Sequence, residues 1–545
     1  MKKLWIIFMV GLISCVGAQS ATVTVSGGTG LQAAIDGANA GDVIQITDSM
    51  TYNEDIFVGP GKDNLTIIGT GVNPPTILAT NSTIHSVGSP DVAARGLVGG
   101  IMGVVSGLLA GGNPLPDQLG MVIEANNGTY ENLILQNNGP SVSPDLFTGA
   151  CTVIGDDNTF NDCVFRGTDQ NTPGVADNEF CISFTSGNWP ELDVALGFVS
   201  LPNYFQNLGY TTPVAAERTE LNNCAFERST NSVGAGDYSQ YFYNAITAGY
   251  LNAVVPFNVV FNDCTWTNCG DGEVLETGGI DNLVFNNCSF DGNEGVVDLG
   301  GGTWVFNDTV FANSTAGRLF RHDAVVEFGG GASYSTLNGC LFCGNAPGED
   351  RIVEIQEGGA TFSRCIFNAT EDTLFFWDYN NWDGQFNDAG YPSQTSIVSF
   401  DRCDFYSPNA AQAVIRLTGD DTPDAPQPGC SLIVQNCIMT GTDVAVDISG
   451  GNLPPGGGDY SIENNDFLAI NTIVNNGPGW TEISVADNLS NVAPAYANAG
   501  GCSPADYVYM NPALETASTT GGPIGSQDPD IGVITNAVKD WNLYE

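Results

Sequence analysis

Polar and apolar positions recur along this chain in one six-residue phrase: apolar, polar, polar, cysteine, variable, aromatic. The copies are FNDCVF (160–165), LNNCAF (221–226), FNDCTW (261–266), FNNCSF (285–290), FNDTVF (306–311), LNGCLF (337–342), FSRCIF (362–367), FDRCDF (400–405), VQNCIM (434–439) and IENNDF (462–467). Taking the cysteine slot as phase and adding the looser matches at 65 and 133, the shortest steps are 288 to 309, 264 to 288 and 340 to 365. These are 21, 24 and 25 residues. Self-similarity at such a period is the signature of a solenoid, in which each repeat buries its apolar face only against the next. One step holds three short strands and their turns, and longer steps hold a coil plus a loop or two coils. The slot, the residue three before it and the residue two after it point inward, so cysteine stacks on cysteine and aromatic on aromatic about 4.8 Å apart. Asparagine beside the slot then forms a hydrogen-bonded ladder at the turn. Thr309 and Asn465 replace cysteine at this phase, as expected of a slot for small side chains.

The flanks and interruptions read differently. Residues 22–47 predict strand, helix, strand, with Leu31, Ala34, Ile35 and Ala38 as the helical stripe, an N-terminal cap on the open end of the core. Two insertions break the rhythm. One, about 86–121, carries the apolar, glycine-spaced run 96–112, and reads as an element packed on the solenoid flank or as a membrane-type packing face. The other, about 185–217, carries Trp189, Phe198, Tyr204, Phe205 and Tyr210, whose aromatics wall a sugar groove or anchor the loop. After about 490 the phrase ceases, and residues 491–545 predict a C-terminal cap. Residues 1–18, with Lys2-Lys3, an apolar run and Val16-Gly17-Ala18, predict a signal peptide. Leu12-Ile13-Ser14-Cys15 is the competing lipoprotein signal, which would tether the chain at Cys15.

The opening residues carry a resemblance. Leu31-Gln-Ala-Ala-Ile-Asp with Gly41-Asp42-Val-Ile, then Thr51-Tyr52-x-Glu54 and Asn64-Leu-Thr-Ile-Ile-Gly-Thr-Gly, resembles the start of right-handed parallel β-helix proteins of the pectin-lyase-like superfamily. The Asn-x-Cys-x-Phe coils are similar to it as well. Phe290-x-x-Asn293, Phe342-x-x-Asn345 and the triple glycines at 300–302 and 329–331 resemble polymorphic outer-membrane repeat proteins. The resemblance covers about 22–490 and implies an all-β fold, a single right-handed parallel β-helix. It implies no single activity, because the superfamily includes lyases, hydrolases, esterases, adhesins and inactive surface proteins. The paired-Asp motif with downstream Gly-His-Gly of polygalacturonases and the Arg-x-Pro segment of pectate lyases are missing. Gly295-Val-Val-Asp-Leu-Gly300 resembles an acidic coil of pectin methylesterases, without that family's Gln-Asp and Gly-Arg-Pro-Trp.

Charge narrows the partners. The chain has 61 acidic and 14 basic residues, a formal net charge of −47. That argues against nucleic acid and anionic membranes and fits an extracellular protein. No transmembrane span is predicted and no cofactor is required; such a surface is compatible with Ca²⁺, which takes several converging oxygens. Fourteen cysteines follow Cys15, an even count that in a secreted chain invites a disulfide reading, but eight share the slot phase and read as a buried stack. Cys340-Leu-Phe-Cys343 has no matching second pair and is not a zinc knuckle.

Chemistry is expected on a second set of strands that precede the phrases: Val274-Leu-Glu276, Val297-Asp298-Leu299, Leu319-Phe-Arg321-His322, Val353-Glu354-Ile355, Ile415-Arg416-Leu417 and Val446-Asp447-Ile448. In several of them apolar residues flank one charged residue, which alternation turns outward. Glu276 to Asp298 is 22 residues and Asp298 to Arg321 is 23, one coil each. Two carboxyls with an arginine are the groups glycosidic-bond cleavage uses, one as acid and the other as base or nucleophile. Glu276, Asp298, Arg321, His322 and Glu354 are therefore the catalytic candidates. Trp377, Tyr379, Trp382 and Arg416 are the substrate-binding candidates, the aromatics standing in an interruption at 375–382. The same residues also make an ordinary surface ladder that balances its own charge. The readings left open are a polysaccharide-directed lyase or glycoside hydrolase and a non-catalytic adhesin, matrix or surface-structural β-helix protein. The expected partner is an extracellular polysaccharide or cell-surface glycan.

Overall fold

The computed structural model describes residues 20–79, 118–137, 148–153, 155–167, 179–184, 218–228, 231–235, 258–269, 273–278, 282–293, 296–300, 303–315, 318–323, 334–344, 352–355, 359–369, 373–379, 397–408, 413–419, 430–441, 443–449, 458–477, 480–518 and 522–526. The expected signal segment with Cys15, nearly all of the 86–121 insertion, the 185–217 insertion and Trp382 lie outside them. No helix among the described residues is long and apolar enough to cross a membrane.

Three long parallel sheets wrap one core. Among the described residues the first has 15 strands, from Thr22–Val25 to Trp480–Ala486; the second has 14, from Thr51–Asn53 to Leu489–Ser490; the third has 13, from Ile56–Val58 to Thr472–Asn476. Each strand pairs in parallel with its equivalent one coil on, as Asn258–Asn262, Asn282–Asn286 and Thr303–Asn307 do. This is a single right-handed parallel β-helix.

The phrase now has a conformation at every position. In FNDCTW, Phe261, Cys264 and Trp266 are fully buried. The residue just before the slot turns the chain from the first sheet to the second in the left-handed region, from Asn64 (φ 61°) through Asp263 (φ 54°) to Asn464 (φ 56°). Asn, Asp and Gly adopt that region most readily, which is why they dominate this position; Arg364 (φ 56°) and Arg402 (φ 55°) are the exceptions. One residue earlier, amides link coil to coil: Asn222 Nδ2 donates to Asn161 Oδ1 (3.0 Å), Asn262 to Asn222 (2.8 Å), Asn286 to Asn262, Asn307 to Asn286 and Asn338 to Asn307 (2.9 Å each). The slot also has a polar task. Cys264 Sγ donates to Leu221 O of the previous coil (3.3 Å), and Asn465 Nδ2 does the same to Val434 O (3.0 Å). Aromatics stack along the axis, Phe261 on Phe285 at 4.8 Å and Phe285 on Phe306 at 4.5 Å between ring centroids.

At the N-terminus, Gly30 in the left-handed region leads into the helix Leu31–Gly37. Leu31 and Ile35 enter the core. Gln32 Nε2 donates to Phe57 O (3.1 Å) while its Oε1 accepts from Phe57 N (2.8 Å). Its side-chain amide thus takes the place of a neighbouring strand against the edge strand Ile56–Val58. Glu54 accepts from the backbone N–H groups of Leu31 (3.2 Å) and Gln32 (2.9 Å), which compensates two of the unpaired donors at the helix start.

The C-terminal segment is described in part. Its described part, 491–518 and 522–526, runs back along the outer face of the second sheet, while strand Trp480–Ala486 keeps exposed positions, Ile483 at 65 %. The reason lies in the sheet. Earlier second-sheet strands bury only their middle residue, as in Val164–Arg166 and Thr265–Thr267. Leu341–Cys343, Ile366–Asn368 and Ile438–Thr440 bury all three, because Tyr507 packs on Leu341 and Ile366, and Leu514 and Ile524 pack on Ile438. A disulfide, Cys343–Cys502, ties the segment down. The slot-phase expectation of unbridged cysteines holds for the stack, whose members from Cys163 to Cys437 are free and buried. It misses Cys343, which stands one residue after an inward Phe342 and so faces out.

Candidate functional site

Strand pairing puts the charged residues of the third sheet on one ladder. Glu276 is in register with Asp298, Asp298 with Arg321, and Arg321 with Glu354. The row continues through Phe376, Arg416, Asp447 and Asn475. The flanking row, Leu275, Val297, Phe320, Val353 and Ile415, is buried in the core. The ladder thus stands one position along each strand from the inward row, with rungs about 4.8 Å apart. Arg321 to Glu354 is 33 residues yet still one rung in register, which is why one-coil spacing is a usable signal for Glu276, Asp298 and Arg321 but not for Glu354.

Glu354 is 1 % exposed. Arg318, two residues before strand Phe320–Asp323, reaches across one coil and pairs with its carboxylate. A buried carboxylate held this way is charge-compensated. Arg321, on the rung before it, is half-buried, as is Arg416 further along. Asp447 accepts from Asn475 Nδ2 (3.1 Å) and from Ser449 N (3.0 Å).

His322 is not on this face. It is fully buried in the core, edge-on to Trp304 with ring centroids 4.9 Å apart, and its Nδ1 lies 2.9 Å from Ser335 Oγ. Burial alone pushes its pKa down to about 3, so the imidazole is neutral and has no route to an outer ligand. The parity of the strand decides this: Arg321 faces out, so its neighbour faces in.

The aromatic candidates shift by one residue. Thr373–Tyr379 is a regular third-sheet strand, not an interruption of the coil. Phe376 takes the ladder position, whereas Trp377 is in register with the buried Ile355 and Leu417, and Tyr379 with Gly419. No charge marks the outward position in Phe375-Phe-Trp, so the sequence had no signal to choose between the two parities. No group of three or more His, Cys, Asp or Glu side chains among the described residues could hold a metal ion.

No protein-family model matches the chain, and comparison with curated proteins finds no match. Solved structures do match in fold. Bacteriophage CBA120 tailspike protein 3 is 11 % identical with a TM-score of 0.41, over 85 % of this chain and 58 % of the tailspike, so the chain spans little more than half that protein's length. Pectate lyase Pel9A is 10 % identical with a TM-score of 0.31, over 94 % of this chain and 97 % of the lyase. The catalytic domain of a GH87 alpha-1,3-glucanase is 10 % identical with a TM-score of 0.36, over 86 % and 69 %. The likeness is one of coiled fold alone, which the three parallel sheets state independently: this chain is a parallel β-helix.

Proposed function

We propose that the protein is an exported, glycan-directed β-helix protein whose third-sheet ladder meets the sugar chain, with Glu276 and Asp298 as the reactive pair. The register Glu276–Asp298–Arg321 carries this reading. A polysaccharide is itself a repeat of a few ångströms, and a ladder with a similar rise presents successive groups to successive units. Two carboxyls on adjacent rungs match the roughly 5 Å separation that retaining cleavage needs, one carboxyl as acid and its neighbour as nucleophile. Arg321, on the next rung, offers a guanidinium to a substrate hydroxyl or carboxylate. Export is supported by the disulfide Cys343–Cys502, since such bonds persist in oxidising compartments. Calcium is compatible with the acidic surface and has no assigned site.

A second reading, glycan binding without cleavage, is favoured by one observation: of the five catalytic candidates, Glu354 is locked to Arg318 and His322 faces the core. A panel of neutral and acidic polysaccharides, read for retention and for new reducing ends, separates the two. Binding with cleavage that is lost in both Asp298→Asn and Glu276→Gln supports the first. Binding without cleavage supports the second. Neither binding nor cleavage across the panel removes the ladder as a glycan surface.

A further inference from the structure

Among the described residues, a disulfide and several hydrogen bonds tie the C-terminal segment to the second sheet, and two of these ties are chemically switchable. Cys343 and Cys502 are bridged, and beside the bridge Asn368 Nδ2 donates to Gly500 O (3.0 Å) and Gly501 O (3.1 Å). Two coils on, Asp404 is completely buried beneath the segment. Its carboxylate accepts from Tyr496 Oη (2.7 Å), Ser526 N (2.9 Å) and Ser526 Oγ. Gly525 N donates to Asn436 O (2.7 Å). On the sheet, Asp404 lies in register between Ile366 and Ile438, both apolar. The charged groups acting on the covering tyrosines are acids, Asp466 on Tyr496 and Asp506 on Tyr507.

We propose that residues 491–518 and 522–526 form a latch over the second sheet, fastened by the Cys343–Cys502 disulfide and by the buried Asp404, which loosens when the bridge is reduced, and more so at neutral or higher pH. Three donors face Asp404, yet loss of water outweighs them, and burial raises its pKa to about 6 from 3.8. The sign follows: docking is favoured while the carboxyl is protonated and weakens as pH rises through about 6. Asp466, also buried and raised to about 6 by burial, adds to the same trend. The bridge opposes release by shortening the loop that must be closed, since Asn491 N is already tied to Phe467 O. The solenoid beneath is independent of both ties, because its inward residues Phe342, Phe367 and Phe405 are buried by coil stacking.

The test is hydrogen exchange on the full chain at pH 5 and pH 8, expressed as protection factors corrected for intrinsic exchange. A water-soluble phosphine serves as reductant: it becomes the phosphine oxide, with water supplying the oxygen and the two thiol protons. After reduction at pH 8, segment amides such as Leu514 and Ile524 should lose roughly tenfold protection or more, and appreciably less at pH 5. Phe342 and Phe405 amides should be unchanged under both conditions. Cys502→Ser should behave as the reduced protein without reductant; if it does not accumulate, reduced wild type carries the comparison. Asp404→Asn should lower the pH 5 to pH 8 ratio below that of the wild type, and Asp404→Asn with Asp466→Asn should cut it to under twofold. Unchanged protection on reduction at pH 8, or an equal pH dependence in Asp404→Asn, would overturn the latch.

Discussion

The side-chain amide of Gln32 pairs with the backbone of Phe57 through both its oxygen and its nitrogen, at 2.8 and 3.1 Å. A helix residue thereby completes a sheet edge. Gln32→Ala keeps helix propensity but leaves the N–H and C=O of a 7 % exposed residue without these partners. A loss of about 1–3 kcal/mol is expected, confined to the first coils. Exchange of the Phe57 amide should accelerate by roughly tenfold or more, with Phe342 unaffected.

Asn286 stands in the middle of the amide ladder, donating to Asn262 and accepting from Asn307, each at 2.9 Å. Asn286→Ala removes both bonds at once. The ladder is half-buried, so the cost should fall at the low end of the range for unsatisfied groups, about 1–2 kcal/mol. Asn286→Asp should cost more, because it replaces the donor to Asn262 Oδ1 with a charge. Chemical denaturation of the coils around 258–311 measures the order.

Cysteine at the slot acts as a small donor as well as a core atom. Thr309 already fills the slot and donates to Asn307 O at 3.1 Å, as Cys288 Sγ does to Asn286 O at 3.5 Å. Cys288→Thr should therefore cost about 1 kcal/mol or less, and Cys288→Leu about 1–3 kcal/mol through overpacking. Burial pushes the thiols of Cys163, Cys224 and Cys264 well above the usual range. An alkylating reagent at pH 8 should leave them unmodified until the protein is unfolded.

His322 makes the core sensitive to acid. Its folded pKa of about 3 lies below the ordinary 6.5, so the folded state resists the proton that the unfolded state accepts. Stability is fully present above about pH 6.5 and falls progressively as pH drops toward 3, by on the order of 4 kcal/mol. His322→Gln should flatten the denaturation midpoint between pH 6.5 and 4. A variant with the wild-type slope would assign acid lability elsewhere.

Much of the fold was legible because a solenoid writes its core in repeated residues. Cys264, Cys288 and Thr309 mark the phase, and Asp263, Asn287 and Asp308 mark the turn. The ladder was legible for the same reason: Glu276, Asp298 and Arg321 each follow an apolar residue at one-coil spacing. Legibility failed where the pattern is two-fold degenerate or non-local. Phe376 and Trp377 are both apolar, so parity could not be read. His322 was grouped with Arg321 although adjacent strand residues face opposite sides. The pairing of Cys343 with Cys502 spans 159 residues, and nothing in a local period reports it. The outward row does not report the cover either, since it is apolar at Ile134 and Val164 as well as at Leu341, Ile366 and Ile438.

The ladder's claim on a glycan rests on Glu276, Asp298 and Arg321 acting together from adjacent coils. The most direct measurement is retention and reducing-end release on a polysaccharide panel for wild type, Glu276→Gln, Asp298→Asn and Arg321→Met, with far-ultraviolet circular dichroism confirming intact coils. The account predicts one glycan class bound by wild type, weakened roughly tenfold or more by Arg321→Met, and any cleavage of it lowered by at least about a hundredfold in each carboxyl variant. Binding and cleavage that survive all three substitutions would contradict it.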